Sequence, residues 1–465
     1  MSAAPPTRLR MLGARLRLAT SGALVRSVGV LVGGAAAGHL LTAATMPLAT
    51  RLFSPEDFSV AATFSSIVGL LVVAACLRFE LAIALPDGDR EALDLLGLAV
   101  LSSVAVSILL AASIAVLPSS VAARLDQPGI EALLWLVPVA TLMGGVYLAL
   151  QMWFVRKSAF PRIARSRVIQ SALANGGQIG LGAVGVAPLG LVIGQILNVG
   201  GGSLVLGAAF LRERPRLWRE VTWSGMWDAA RRYSRFPRYS VWEALANSAS
   251  IHFPILLIAS LAPVAEVGFL SLSIFLMQAP MALFGNAVGQ VYLAEAPQAA
   301  REGRLAPFTL RMVQNLFRMI TAPIAAAAIL SPALFAIVFG AEWARSGELV
   351  AWMAPWFVLQ FVTSPIATAL HVEGRQRIAM ALQVFGLLFR TAAVIVASRV
   401  AGLGVSEAYA LSGFLFYLAY LLLVIRAVGI RAARLGRVVV EAVGLAALGA
   451  ALGFGGLGAL RAIGL

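Results

Sequence analysis

The chain is poor in the residue types with which soluble proteins meet water and carry out chemistry. Charged residues fill 12% of its 465 positions, about half the usual ~25%, so this composition could not cover a water-facing surface. Lys157 is the sole lysine, and the residues before it, Trp153-Phe154-Val155-Arg156, are not the glycines of a phosphate-cradling loop. ATP binding of the Walker type is thereby excluded. Cys76 is the sole cysteine, which rules out an intrachain disulfide and a cysteine metal cluster. The three histidines, His39, His252 and His371, are far apart and lack HExxH spacing, so zinc chemistry has no basis. Asp87, Asp89, Glu91 and Asp94 lie close together but lack the twelve-residue spacing of a calcium loop, and read as a solvated turn.

What is abundant is apolar. Hydrophobic residues make up 60% of the chain and mean hydropathy is +0.89. Runs of about 20 apolar residues, the length of a membrane-spanning helix, recur at roughly 27–50, 58–77, 93–117, 130–151, 168–186, 189–211, 239–261, 267–291, 311–334, 349–370, 378–397 and 405–425. A thirteenth, Gly-rich run covers 438–460. The first run is too long for the ~7–15-residue apolar core of a secretory signal, and reads as a retained helix after the basic stretch Arg8, Arg10, Arg15, Arg17 and Arg26.

Charge placement orients these spans. The formal net charge is +15, which in a soluble protein would suggest nucleic acid. Here thirty of the 36 Lys+Arg fall in connections or helix edges on one side. Arg51, Arg124, Arg345, Arg399 and Arg461 fall on the other side, and Arg390 falls within a span. The positive-inside rule then predicts a cytoplasmic N-terminus. The expected organisation is a basic N-terminus over 1–26, a six-helix bundle over 27–211, a cytoplasmic linker over 212–238, a second six-helix bundle over 239–425, and a basic loop with an additional helix over 426–465. The linker carries Trp218, Trp223 and Trp227 among Arg219, Arg231, Arg232 and Arg235, the pattern of a helix lying at headgroup level.

Weak internal symmetry supports two halves. Ser54-Pro55-Glu56-Asp57-Phe58-Ser59 after the first span corresponds in position to Pro263–Gly268 after the seventh, and Ile163–Gln170 to Gln376–Gln383. Two parallel bundles related by an axis along the membrane normal place a substrate path between them.

Several stretches resemble the oligosaccharide-lipid flippase family of the Wzx type, in the multidrug, oligosaccharidyl-lipid and polysaccharide (MOP) exporter superfamily. They are Pro47-Leu48-Ala49-Thr50-Arg51-Leu52-Phe53-Ser54-Pro55-Glu56-Asp57-Phe58, Leu77-Arg78-Phe79-Glu80-Leu81-Ala82-Ile83, Phe160-Pro161-Arg162-Ile163-Ala164, Phe236-Pro237-Arg238-Tyr239 and Phe339-Gly340-Ala341-Glu342-Trp343. The resemblance extends from about Gly29 to Val424. Ser59 stands where the family more often has glycine, and many relatives lack the thirteenth span.

The resemblance implies an all-α polytopic membrane protein, two six-helix bundles in a V with a central cavity, and no enzymatic activity. It implies transfer of an undecaprenyl-pyrophosphate-linked oligosaccharide across the bacterial inner membrane by alternating access, for O-antigen, capsule or exopolysaccharide. Coupling to protons or sodium, no cofactor, and a glycan polymerase and chain-length regulator as neighbours belong to the same picture, with no nucleic acid. A peptidoglycan-precursor flippase and a cation-coupled small-molecule exporter would share the fold. A membrane polymerase would need a larger catalytic loop.

Ionisable groups inside spans are the candidates for substrate contact, because a charge at a helix centre costs about 2.5–3.5 kcal/mol on insertion scales. His39 and His252 lie midway along the first and seventh spans, which line the cavity in this superfamily. Each is either a pyrophosphate or proton group or a packed imidazole. Arg390 is the single arginine inside a span. Glu243 and Asn247 share one face of the seventh span, Glu243 being either a coupling carboxylate or an interfacial residue. Arg78 with Glu80, at the cytoplasmic end of the second span, forms a gate or local ion pair, with substrate contact by Arg78 as the alternative. Arg311 and Arg318 share a face of the ninth span, at a pyrophosphate entrance or as positive-inside anchors. Pro254, beside His252, marks the seventh span as a moving element.

Overall fold

The structure, a computed structural model, describes residues 33–34, 36–116, 129–213, 221–373, 375–400 and 404–462, and those residues are helical with no strand among them. The N-terminal half runs through α1 (36–52), α2 (Pro55–Val72), α3 (Asp89–Val116), α4 (Val137–Arg156), α5 (Phe160–Ala183) and α6 (Leu189–Glu213). After α7 (Trp223–Arg232), the C-terminal half comprises α8 (Val241–Leu261), α9 (Glu266–Met277), α10 (Asn286–Arg301), α11 (Leu305–Phe339), α12 (Ala344–Ile366), α13 (Gln376–Arg399) and α14 (Val405–Ala427). The additional helix is α15 (Ala432–Ala462).

Eleven helices among the described residues are long and apolar enough to cross a membrane. Two predicted spans are not among them. Only 36–52 of the first run is a continuous described helix. α5 is 24 residues long but is interrupted by Arg162, Arg165, Arg167, Gln170, Asn175 and Gln178. That polarity defines the site below.

Local sequence explains several boundaries. The Ser-Pro-Glu-Asp turn is a capping box: the Asp57 amide donates to Ser54 Oγ at 3.2 Å, and the Ser54 amide donates to Asp57 Oδ2 at 2.9 Å. Pro55 occupies the first turn, where its missing N–H costs nothing. The eighth span departs from a single helix over 267–291. α9 stops at Met277, a wide π-type turn follows over Met281–Gly285, and α10 carries on to Arg301. Pro280 lies at this break, where a residue without an amide donor removes one rung of the ladder.

The acidic group at the start of α3 is not a solvated turn, as its sequence suggests, but a partner for basic residues. Asp89 pairs with Arg156 and Lys157, and Glu91 with Arg232. Asp94 accepts from the Thr222 amide at 3.2 Å. The Tyr233 hydroxyl donates to Glu91, and burial together with the Glu91 charge pushes this phenol above its ordinary pKa. α7 is thus docked on the N-terminal bundle by one face, while Trp223 and Trp227 project from it, 69% and 54% exposed. Residues 1–32 and 214–220, with Trp218 and Arg219, lie outside the described residues.

α15 packs along α11, and Arg318 holds it there through both carboxylate oxygens of Glu441, at 2.5 and 3.1 Å. Arg318 is therefore committed to a helix contact.

Candidate functional site

The bundles meet chiefly through α2, which lies against α8 and α9. Connections at one pole are rich in arginine and those at the other are poor in it. At the arginine-poor pole the halves are closed by Trp343, which is fully buried. Its indole N–H donates to the Thr50 carbonyl at 3.2 Å. Its ring meets Phe58 and Phe269 edge-on, with centroids 4.9 and 5.9 Å away. Gly268, at the start of α9, touches the Pro55 carbonyl and the Ser59 amide so closely that a Cβ would overlap the former. Ser59 and Gly268 are the positions matched by internal symmetry, and they face each other across the seam. Beside them Arg345 joins Glu266, Glu348 and Glu407 at 2.9, 3.0 and 2.5 Å, tying the starts of α9, α12 and α14 together.

Following α2 and α9 from this seam toward the arginine-rich pole leads into a cavity of about 370 Å³. It is lined from both halves, by α1, α2, α5 and α6 on one side and by α8, α9 and the break after α9 on the other. His39 and His252 both line it. The His252 ring lies directly on Gly69, where a Cβ would overlap it, and one turn away Ser248 Oγ donates to the Gly69 carbonyl at 2.8 Å. His252 Nδ1 is buried with no hydrogen-bond partner among the described residues. Pro254, two residues on, is buried inside α8.

The rest of the lining mixes apolar side chains, among them Met46, Phe58, Leu191 and Phe275, with neutral polar ones. Asn175 is the central tie on α5: its Nδ2 donates to Thr42 Oγ1 at 3.0 Å, and its Oδ1 accepts from Thr45 Oγ1 at 2.8 Å. These two bonds hold α1, and so His39, against α5. Interhelical side-chain hydrogen bonds in membranes are worth about 0.6 kcal/mol each and at most about 1.7. The Asn175→Leu protein is therefore expected to lose about 1–3 kcal/mol of α1 docking. Transport by normally inserted protein should fall roughly fivefold or more, measured as surface glycan per molecule of protein.

Gln178, Gln195, Asn198 and Gln278 also line the cavity, and sequence reasoning passed over all four. The available signal was the polar stripe Arg167, Ser171, Asn175 and Gln178 at helical spacing along α5. Arg167 begins that stripe. Its guanidinium stacks on Tyr147 at 5.3 Å and acts electrostatically on His39.

The other predicted residues lie elsewhere. Arg390 is 8% exposed inside the C-terminal bundle, between the faces of Trp356 and Tyr409 at 4.5 and 4.3 Å. Its Nε and Nη2 have no hydrogen-bond partner among the described residues. Two desolvated cation–π contacts, each about 2 kcal/mol, offset the cost of its burial. Arg78, in the left-handed backbone region, pairs with buried Glu80 at 3.4 Å. Glu243 and Asn247 are exposed on α8, and Arg311 is exposed on α11; none of these lines the cavity. No group of three or more potential metal ligands occurs among the described residues.

Two helical bundles thus meet at a cavity that is closed at one pole. Known structures share this fold. The lipid II flippase MurJ in an inward closed conformation matches with a TM-score of 0.63 and 11% identity, over 92% of this chain and 99% of that one. The eukaryotic MATE transporter AtDTX14 matches at 0.54 and 17%, over 88% and 96%. An inward-facing multidrug resistance MATE transporter of the MOP superfamily matches at 0.53 and 14%, over 86% and 96%. No curated protein matches by sequence. Residues 48–348 match the polysaccharide biosynthesis protein family, and the chain belongs to that family. With eleven helices among the described residues long and apolar enough to cross a membrane, it is a multi-pass membrane protein of that family with the fold these structures share.

Proposed function

We propose that this protein carries an undecaprenyl-pyrophosphate-linked oligosaccharide from the cytoplasmic to the periplasmic leaflet of the bacterial inner membrane. The observation that carries this reading is the cavity between the halves, in which amides, hydroxyls and two histidines are set among apolar side chains and which is sealed at one pole by Trp343 and Gly268. A glycan headgroup needs such a wet lining to cross hydrocarbon, whereas its lipid chain can remain outside in the bilayer.

The arginine-rich pole is the cytoplasmic one by the positive-inside rule, so the sealed pole faces the periplasm and the described state is one closed to the periplasm. Alternating access then requires the seam of α2 against α8 and α9 to part while the opposite ends close. The break between α9 and α10 and Pro254 in α8 are the flexible points nearest the cavity. His39 and His252 are the ionisable groups through which protons would couple to that motion, with sodium as the alternative ion. A glycan polymerase and its chain-length regulator would receive the product.

Complementation tests this reading. In a strain lacking its own glycan-lipid flippase but making the cognate lipid-linked glycan, the protein should restore surface polysaccharide. The His39→Ala, His252→Ala double variant should restore at most about a tenth as much. Full export by that variant would remove the histidines from the mechanism; no export by the parent protein with any cognate glycan, together with energy-dependent dye efflux, would refute the assignment.

A further inference from the structure

The cavity sets uncharged polar groups among apolar side chains and carries no fixed charge on its described lining. Among the described lining residues there is no Asp, Glu, Lys or Arg. Each of Gln178, Gln195, Asn198 and Gln278 offers two N–H donors and a carbonyl acceptor. They come from α5, α6 and the break after α9, so both halves contribute. A sugar hydroxyl donates one hydrogen bond and accepts two, and primary amides satisfy both demands. Met46, Phe58 and Phe275 supply apolar lining next to these amides, suited to the C–H faces of sugar rings. The volume of about 370 Å³ lies at the lower end of the ~300–1,000 Å³ range of small-ligand sites, which fits a short saccharide.

Positive charge flanks this chamber at its arginine-rich end. Arg167 is on the α5 face that also carries Asn175 and Gln178, eleven residues and about 16 Å of helix rise before Gln178. α1 crosses α5 where Gly38 packs on Ser171 and the Arg167 carbonyl, which brings His39 to the same end.

Resting on the flippase reading above, we infer that the chamber selects uncharged saccharides, with the pyrophosphate held at Arg167 and His39 and the sugars among the amides. A glycan bearing a uronic acid or another carboxylate would bring an anion into a chamber with no counter-charge. The insertion cost of one charge at the middle of a membrane corresponds to roughly 60- to 300-fold. Water in the chamber lowers that figure, so discrimination of at least about tenfold is expected.

The test uses the full-length protein in lipid vesicles with two undecaprenyl-pyrophosphate trisaccharides that differ only in a hexose or hexuronic acid at one position. Transfer to the opposite leaflet is read by accessibility to an added glycosidase. The neutral compound should move at least about tenfold faster. Gln178→Arg should narrow that ratio by speeding the acidic compound, and Arg167→Gln should slow both compounds equally. Equal rates for the two compounds on the parent protein would overturn the inference while leaving the flippase reading intact. Transfer of neither compound would overturn both.

Discussion

In the Trp343→Ala protein the two halves are expected to part at the arginine-poor pole. Across the seam the substitution removes the edge-on pair with Phe58 and the hydrogen bond to the Thr50 carbonyl, whereas the pair with Phe269 lies within the C-terminal half. Aromatic pairs are worth about 0.5–1.5 kcal/mol each and a hydrogen bond in the membrane about 0.6–1.7. Together the two contacts across the seam make about 1–3 kcal/mol, or roughly 5- to 150-fold in the equilibrium between closed and open seam. Spin labels at Glu56 and Glu342, both exposed near the seam, would report it. The sole cysteine, Cys76, is 1% exposed and its thiol donates to the Gly145 carbonyl, so it leaves little background labelling. One short inter-label distance is expected in the parent protein, and an added longer population in Trp343→Ala. Trp343→Phe keeps most of the ring contact and should fall between them. An unchanged distance distribution in Trp343→Ala would show that the indole does not hold the seam.

Gly268→Val acts on the same seam from the opposite direction and should have the larger effect. A Cβ at residue 268 would overlap the Pro55 carbonyl and crowd the Ser59 amide. Both are backbone atoms fixed by the Ser54–Asp57 capping box, so α9 must move away from α2 as a body. The expected outcome is loss of most transport, at least about tenfold, with the protein still present in the membrane and the same label pair reporting an open pole. Gly268→Ala should give a weaker form of the same defect. Normal transport by Gly268→Val would mean that close approach of α2 and α9 is not part of the cycle.

The elements of this seam differ in how far sequence alone reveals them. The capping box is legible because a Ser followed three residues later by an acidic side chain is a local signal. The pairing of Ser59 with Gly268 is suggested by internal symmetry, but their contact depends on how two distant helices cross. His39 and His252 stand out as ionisable groups in apolar runs, and both reach the cavity. The four lining amides do not stand out, since a neutral polar residue barely lowers the hydropathy of a span, and Arg167 is hidden within a basic connection that topology already explains. Arg390 is legible as buried, whereas its partners Trp356 and Tyr409 are remote in sequence, and they account for its burial inside one bundle. Arg318 reads in sequence as either an entrance residue or a positive-inside anchor, because its partner Glu441 lies in an added helix 123 positions away.

The step proposed for this protein is movement of a lipid-linked glycan between leaflets. The most direct measurement places the purified protein in sealed vesicles whose outer leaflet carries undecaprenyl-pyrophosphate oligosaccharide, with a glycan-cleaving enzyme enclosed inside. Cleavage that depends on the protein, and is nearly abolished in Gly268→Val, is the predicted result. An intact glycan pool in the presence of active, dye-transporting protein would contradict it.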